Sequence, residues 1–160
     1  MRIAVASDHA GLPLKEHMVP LLRALGHDVV DVGTHTKDAV DYPDYAVAGC
    51  QAILDGRCER GILFCGSGVG MSIVANKLPG IRAGNIEDIY SAHQGVEHDD
   101  MNVLVLGGRT VGAAVAADLV RAFLGASYTG EPRHARRLQK LLEVEAHPER
   151  FVPTSSSSVT

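Results

Sequence analysis

One run of this sequence sets a nucleophilic side chain directly before a glycine-rich turn: Cys65-Gly66-Ser67-Gly68-Val69-Gly70. Alternating glycines let a backbone approach a ligand closely and turn its amides inward. A helix that follows such a turn adds the positive end of its dipole. Together these suit a developing negative charge, as an oxyanion hole does. The same surroundings are expected to favour the thiolate of Cys65. The plainer alternative is a buried structural cysteine ahead of a generic glycine loop, since cysteines are most often small hydrophobes.

Three other clusters carry polar chemistry. Ser7-Asp8-His9-Ala10-Gly11 can grip a hydroxyl and a phosphate, or Asp8 can simply cap the next helix. In Glu97-His98-Asp99-Asp100, His98 is an imidazole suited to proton transfer near neutral pH, or else a solvated surface residue. His17, His27, His35, His93 and His147 fall in that solvated class. Arg109 follows Gly107-Gly108, and Arg133 and Arg137 stand four apart, so they share one helical face. Guanidinium forks match phosphate oxygens. Without a ligand, the same arginines would only decorate a solvated helix, as is expected of Arg136.

These residues need a frame. Short β-rich runs alternate with helical stretches, the pattern of a parallel α/β sheet. Strands are expected at Ile3–Ala6, Asp28–Val32, Gly61–Phe64, Ile81–Gly84 and Val103–Leu106. Helices are expected at Leu12–Leu25, Asp44–Leu54, Met71–Asn76, Glu87–Glu97, Val111–Leu124 and Arg133–Glu145. Pro13 suits a first helical turn, and Gly26 suits the position after a helix end. The expected architecture is a doubly wound, flavodoxin-like sheet of five parallel strands with helices on both faces. Ligands bind such sheets at the carboxyl ends of the strands, where the clusters after strands one, three and five fall.

Composition narrows the function. The 160 residues suit one domain, expected over 1–150, and the Thr/Ser-rich end reads as a flexible tail over 151–160. A net charge of −4 argues against a nucleic-acid partner. The first apolar run breaks at Asp8, too early for a secretion signal, and no stretch is long enough for a membrane span. Three cysteines without zinc spacing suggest reduced thiols in the cytoplasm and no metal. The glycine run has no P-loop lysine, and Gly66-Ser67-Gly68 is not a nucleophile elbow.

Ser7-Asp8-His9-Ala10-Gly11, Asp41-Tyr42-Pro43, Cys65 through Ile73 with Ala75-Asn76-Lys77, and Arg133-His134-Ala135-Arg136-Arg137 occur in one order. This set resembles the type B ribose-5-phosphate isomerases and their galactose-6-phosphate and allose-6-phosphate relatives, from Met1 to about Glu145. The resemblance implies a cofactor-free aldose–ketose isomerase of a sugar phosphate, acting as a homodimer with shared active sites. Ribose 5-phosphate is the first substrate it suggests, and pairing of dimers into tetramers stays open. It implies Cys65 as the base, with Gly66, Ser67, Gly68 and Gly70 as the anion hole and His98 as the ring opener. Asp8 and Tyr42 would hold hydroxyls, and His9, Arg109, Arg133 and Arg137 the phosphate, part of the set coming from the second subunit.

One position departs from that pattern. The family usually carries Asn after the ring-opening His, and this chain carries Asp99. An ionised carboxylate cannot donate to a growing oxyanion. Tetrose and hexose phosphates therefore stay open as substrates. Two rivals also remain at this stage. One is a nucleotide-binding module of the same fold, and the other is a thiol redox protein, although Cys58 and Cys65 lack the Cys-x-x-Cys spacing.

Overall fold

Strand β1 (Arg2–Ser7) turns Ile3 and Val5 to one face of the sheet and Ala4 and Ala6 to the other. This is the two-residue period of a strand buried on both sides. The computed structural model, described over residues 1–151, repeats that logic in β3 (Arg60–Cys65) and β5 (Val103–Gly107). The shorter β2 (Asp28–Asp31) and β4 (Ala83–Asn85) form the two edges. The expected tail lies almost wholly outside the described residues.

All pairings are parallel, and the spatial order is β2-β1-β3-β5-β4. The five-stranded, doubly wound α/β architecture is the expected one. Its last two strands are exchanged relative to the 2-1-3-4-5 order of flavodoxin itself. That exchange sets β5 directly beside β3, in the register Cys65↔Gly107. The ends of β3 and β5 thus become immediate neighbours.

Helices cover both faces. Helices α1 (Leu12–Ala24), α4 (Ile89–Asp99) and α5 (Ala113–Gly125) pack on the face of Ile62, Phe64 and Leu104 through Leu22, Val96 and Leu119. Helices α2 (Tyr42–Leu54) and α3 (Val69–Ala75) pack on the face of Leu63, Cys65 and Val105 through Ala46, Cys50 and Met71. Full burial of one large aliphatic side chain contributes about 1.5–3 kcal/mol, so the strand interiors hold the frame rigid. Helix α6 (Pro132–Ala146) packs on α4 and is followed by a 3₁₀ turn, Pro148–Phe151. Among the described residues no helix is long and apolar enough to cross a membrane.

Several boundaries differ from the sequence expectation for local reasons. Helix α2 starts at Tyr42 because Pro43 sits in its first turn, where its missing N–H costs nothing. Helix α4 runs on to Asp99 and stops where Asp100 takes a left-handed φ of 51°. His98 is therefore in the last turn of a helix rather than in a loop. Strand β4 begins at Ala83, later than expected, because the Asn102 side chain takes up the Arg82 N–H at 2.8 Å.

Candidate active site

The ends of β1, β3 and β5 meet at a cleft of about 370 Å³ lined by Asp8, His9, Tyr42, Cys65, Gly66, Ser67, Gly70 and Arg109, with Ala10 and Thr110. Strand order explains the meeting. The Gly108 N–H donates to the Cys65 carbonyl at 2.7 Å, and the Arg109 N–H donates to the Gly66 carbonyl at 2.9 Å. The turn after β5 is thereby locked to the turn after β3, and Arg109 projects beside Gly66.

Cys65 is 5% exposed and is among the residues that line the cleft. Its Sγ accepts the Gly68 N–H at 3.2 Å. Gly68 itself has φ 83°, a conformation open to glycine. Burial pushes Cys50 up to about 11, leaving about one part in a thousand as thiolate near pH 8. Burial also raises Cys58, against the opposing pull of Arg2 and Arg57. Neither lines the cleft. Near pH 8, iodoacetamide is expected to label Cys65 at least about tenfold faster than Cys50 or Cys58. Mass spectrometry of the three cysteine peptides measures this, and equal labelling would contradict it.

Asp8 is buried and does not cap α1, whose N-cap is Gly11. Its Oδ1 accepts the N–H groups of Ala10 and Gly11 at 2.9 and 2.8 Å, which fixes the carboxylate at the cleft floor. His9 Nδ1 accepts the Val40 N–H at 3.2 Å. A nitrogen that accepts a backbone N–H carries no proton, so Nε2 is the protonated nitrogen and a donor. The loop supplying Val40 is anchored in turn by buried Lys15, whose Nζ donates to Asp31 at 3.0 Å and to the Thr34 carbonyl at 2.6 Å.

The other expected site residues lie elsewhere in the chain. His98, Asp99, Arg133 and Arg137 do not line this cleft. His98 stacks on buried His134, with ring centroids 3.9 Å apart, and its Nδ1 pairs with Gln94 at 2.7 Å. Burial lowers His134 below the usual imidazole range; His98 and Arg133 push the same way and Glu131 opposes them. Arg133 pairs with Glu131 at 3.0 Å, and Arg137 is exposed. Asp99 lines a separate cavity of about 960 Å³ between β4, α4 and α6. Sequence reasoning missed His134 as a packing partner of His98, and missed Asn85, whose Nδ2 reaches the Ser67 carbonyl at 3.2 Å. Placing the end of β4 one residue later would have put Asn85 at a carboxyl strand end, where ligand sites form.

A thiol beside a backbone donor, a fixed carboxylate and the Arg109 guanidinium are together suited to moving a proton on an anionic substrate. The chain belongs to the Ribose/Galactose Isomerase family, whose model matches residues 3–141. It is 43% identical to ribose-5-phosphate isomerase B of Escherichia coli over 144 residues, 90% of this chain and 96% of that one. It is 39% identical to D-erythrulose-4-phosphate isomerase of Pectobacterium atrosepticum over 131 residues, 81% of this chain and 86% of that one. The solved structure of Clostridium thermocellum ribose-5-phosphate isomerase B matches with a TM-score of 0.89 at 44% identity, covering 91% of this chain and 98% of that chain.

Proposed function

We propose that this isomerase interconverts ribose 5-phosphate and ribulose 5-phosphate through a cis-enediolate, with Cys65 as the base. The observation that carries the reading is Cys65 in the cleft lining with Asp8, His9 and Arg109, its sulfur accepting the Gly68 N–H. In the open-chain aldose, the Cys65 thiolate takes the C2 proton. The electron pair moves into the C1–C2 bond, and the carbonyl oxygen takes the charge. Amides of the Gly66–Gly70 turn hold that oxygen. The C2 hydroxyl proton passes to O1, and the Cys65 thiol returns its proton to C1. Asp8 and Tyr42 hold sugar hydroxyls, while His9 Nε2–H and Arg109 hold phosphate oxygens.

His98 opens the sugar ring, and Arg133 and Arg137 complete the phosphate clamp. None of the three lines the Cys65 cleft of its own subunit, so a second copy supplies them in a homodimer with two shared sites.

A second substrate has specific support. Asp99 stands where the family usually has Asn, and a D-erythrulose-4-phosphate isomerase is among the relatives. Assays across four-, five- and six-carbon aldose phosphates, with solvent deuterium entry followed by NMR, test both readings. The pentose phosphate is expected to give the highest kcat/KM, and Asp99→Asn to change the ratio between tetrose and pentose by at least about fivefold. A tetrose preference in the native chain would replace the ribose reading. An unchanged ratio in Asp99→Asn would make Asp99 a bystander.

A further inference from the structure

The Ser67–Gly68 peptide unit is held from both sides. Its N–H donates to Cys65 Sγ at 3.2 Å, and its carbonyl accepts Asn85 Nδ2 at 3.2 Å. The two contacts act on one rigid plane, so the group that fixes the carbonyl also aims the N–H. We propose that Asn85, at the carboxyl end of β4, is a positioning residue that aims the Gly68 amide at the sulfur of Cys65. This rests on the reading of Cys65 as the base and adds a residue to its support.

The geometry is built for this reach. Strand β5 lies between β3 and β4, so the Cys65 turn must cross the end of β5 to meet Asn85. Gly107 ends β5, and a Cβ there would lie 2.7 Å from the Ser67 carbonyl carbon. Gly68 faces the amide of Asn85 just as closely, since a Cβ on Gly68 would lie 2.2 Å from Oδ1. Both crossing points are therefore bare backbone.

The amide itself argues for a positioning role. Asn85 Oδ1 is buried without a hydrogen-bond partner among the described residues. An orphaned acceptor is destabilising, and an apolar side chain of the same size would avoid it. What an apolar side chain lacks is the donor on Nδ2. Flipping the amide gives no relief, because Oδ1 would then face the Ser67 carbonyl, which can only accept.

The test separates orientation from bulk structure. Asn85→Leu keeps the branched skeleton with a bulkier tip and removes the donor, and Asn85→Ala, which removes the donor without added bulk, serves if the leucine variant does not fold. Charged and titratable groups lining the cleft with Cys65 are Asp8 and His9 after β1, Tyr42 on α2 and Arg109 after β5, joined in the proposed dimer by His98, Arg133 and Arg137 of the second copy, and none is altered by the substitution. Alkylation of Cys65, followed on its own peptide, is expected to slow about tenfold near pH 7 and by a smaller factor near pH 10, where excess base rather than the Gly68 N–H favours the thiolate. In parallel, kcat is expected to fall about tenfold with KM within about twofold. Alkylation that is unchanged at both pH values, or slowed equally at both, would overturn the proposal. A native chain that isomerises no sugar phosphate would sink the functional reading instead, and the alkylation result would still decide the role of Asn85.

Discussion

Cys65→Ala is expected to lower kcat about 10³- to 10⁴-fold, the upper range for loss of a positioned general base. Substrate affinity should stay within about threefold, because the groups assigned to hydroxyls are Asp8 and Tyr42 and those assigned to phosphate are His9, Arg109, Arg133 and Arg137. The structure gives the reason for so uneven an effect. The sulfur accepts the Gly68 N–H, and deleting it leaves the β-carbon and the locked β3–β5 turn in place. Cys65→Ser sharpens the test, since a serine hydroxyl keeps the shape but ionises far outside the working range. It should be nearly as inactive as alanine. Deuterium entry from solvent at the α carbon should vanish in both variants, because the same base serves both halves of the transfer. Near-native turnover in either variant would remove Cys65 from the mechanism, and so would loss of substrate binding with turnover per bound complex intact.

Much of this site could be read along the chain, because three of its clusters follow strands whose apolar runs are unmistakable. Ile3-Ala4-Val5-Ala6, Ile62-Leu63-Phe64 and Val103-Leu104-Val105-Leu106 are buried on both faces, as continuous apolar runs imply. The residue types beyond their ends then announce the cleft. Strand order was harder to read. Nothing local says that β5 rather than β4 lies beside β3, yet that order sets Arg109 against Gly66 and carries the Cys65 turn across to Asn85. Edge strand β4 has only three residues, with a weak apolar signal, so its end was misplaced and Asn85 passed unnoticed. His134 escaped for another reason. It sits among arginines on a strongly polar helix, and only the packing of α6 on α4 shows that it is buried against His98.

The separation of the polar groups into two places within one subunit leads to the other large expected effect. Cys65→Ala and His98→Ala should each be nearly inactive alone, one lacking the proposed base and the other the proposed ring opener. Co-expressed with different tags and purified through both, the heterodimer should recover about half the native activity per dimer. The arithmetic follows from the proposed two-fold dimer. One cleft combines native Cys65 with the native His98 of the other chain, and the second cleft combines both lesions. A doubly damaged cleft contributes nothing, so the activity comes from the intact one. Within one subunit His98 is held on α4 by its stack on His134 and its contact with Gln94, and it does not line the cleft that holds Cys65. A heterodimer as inactive as its parents would mean that each chain carries a complete site, and the assignment of His98 to a partner's cleft would fail. Recovery with Arg137→Ala in place of His98→Ala, seen as a native KM in half the sites, would extend the same sharing to the phosphate clamp.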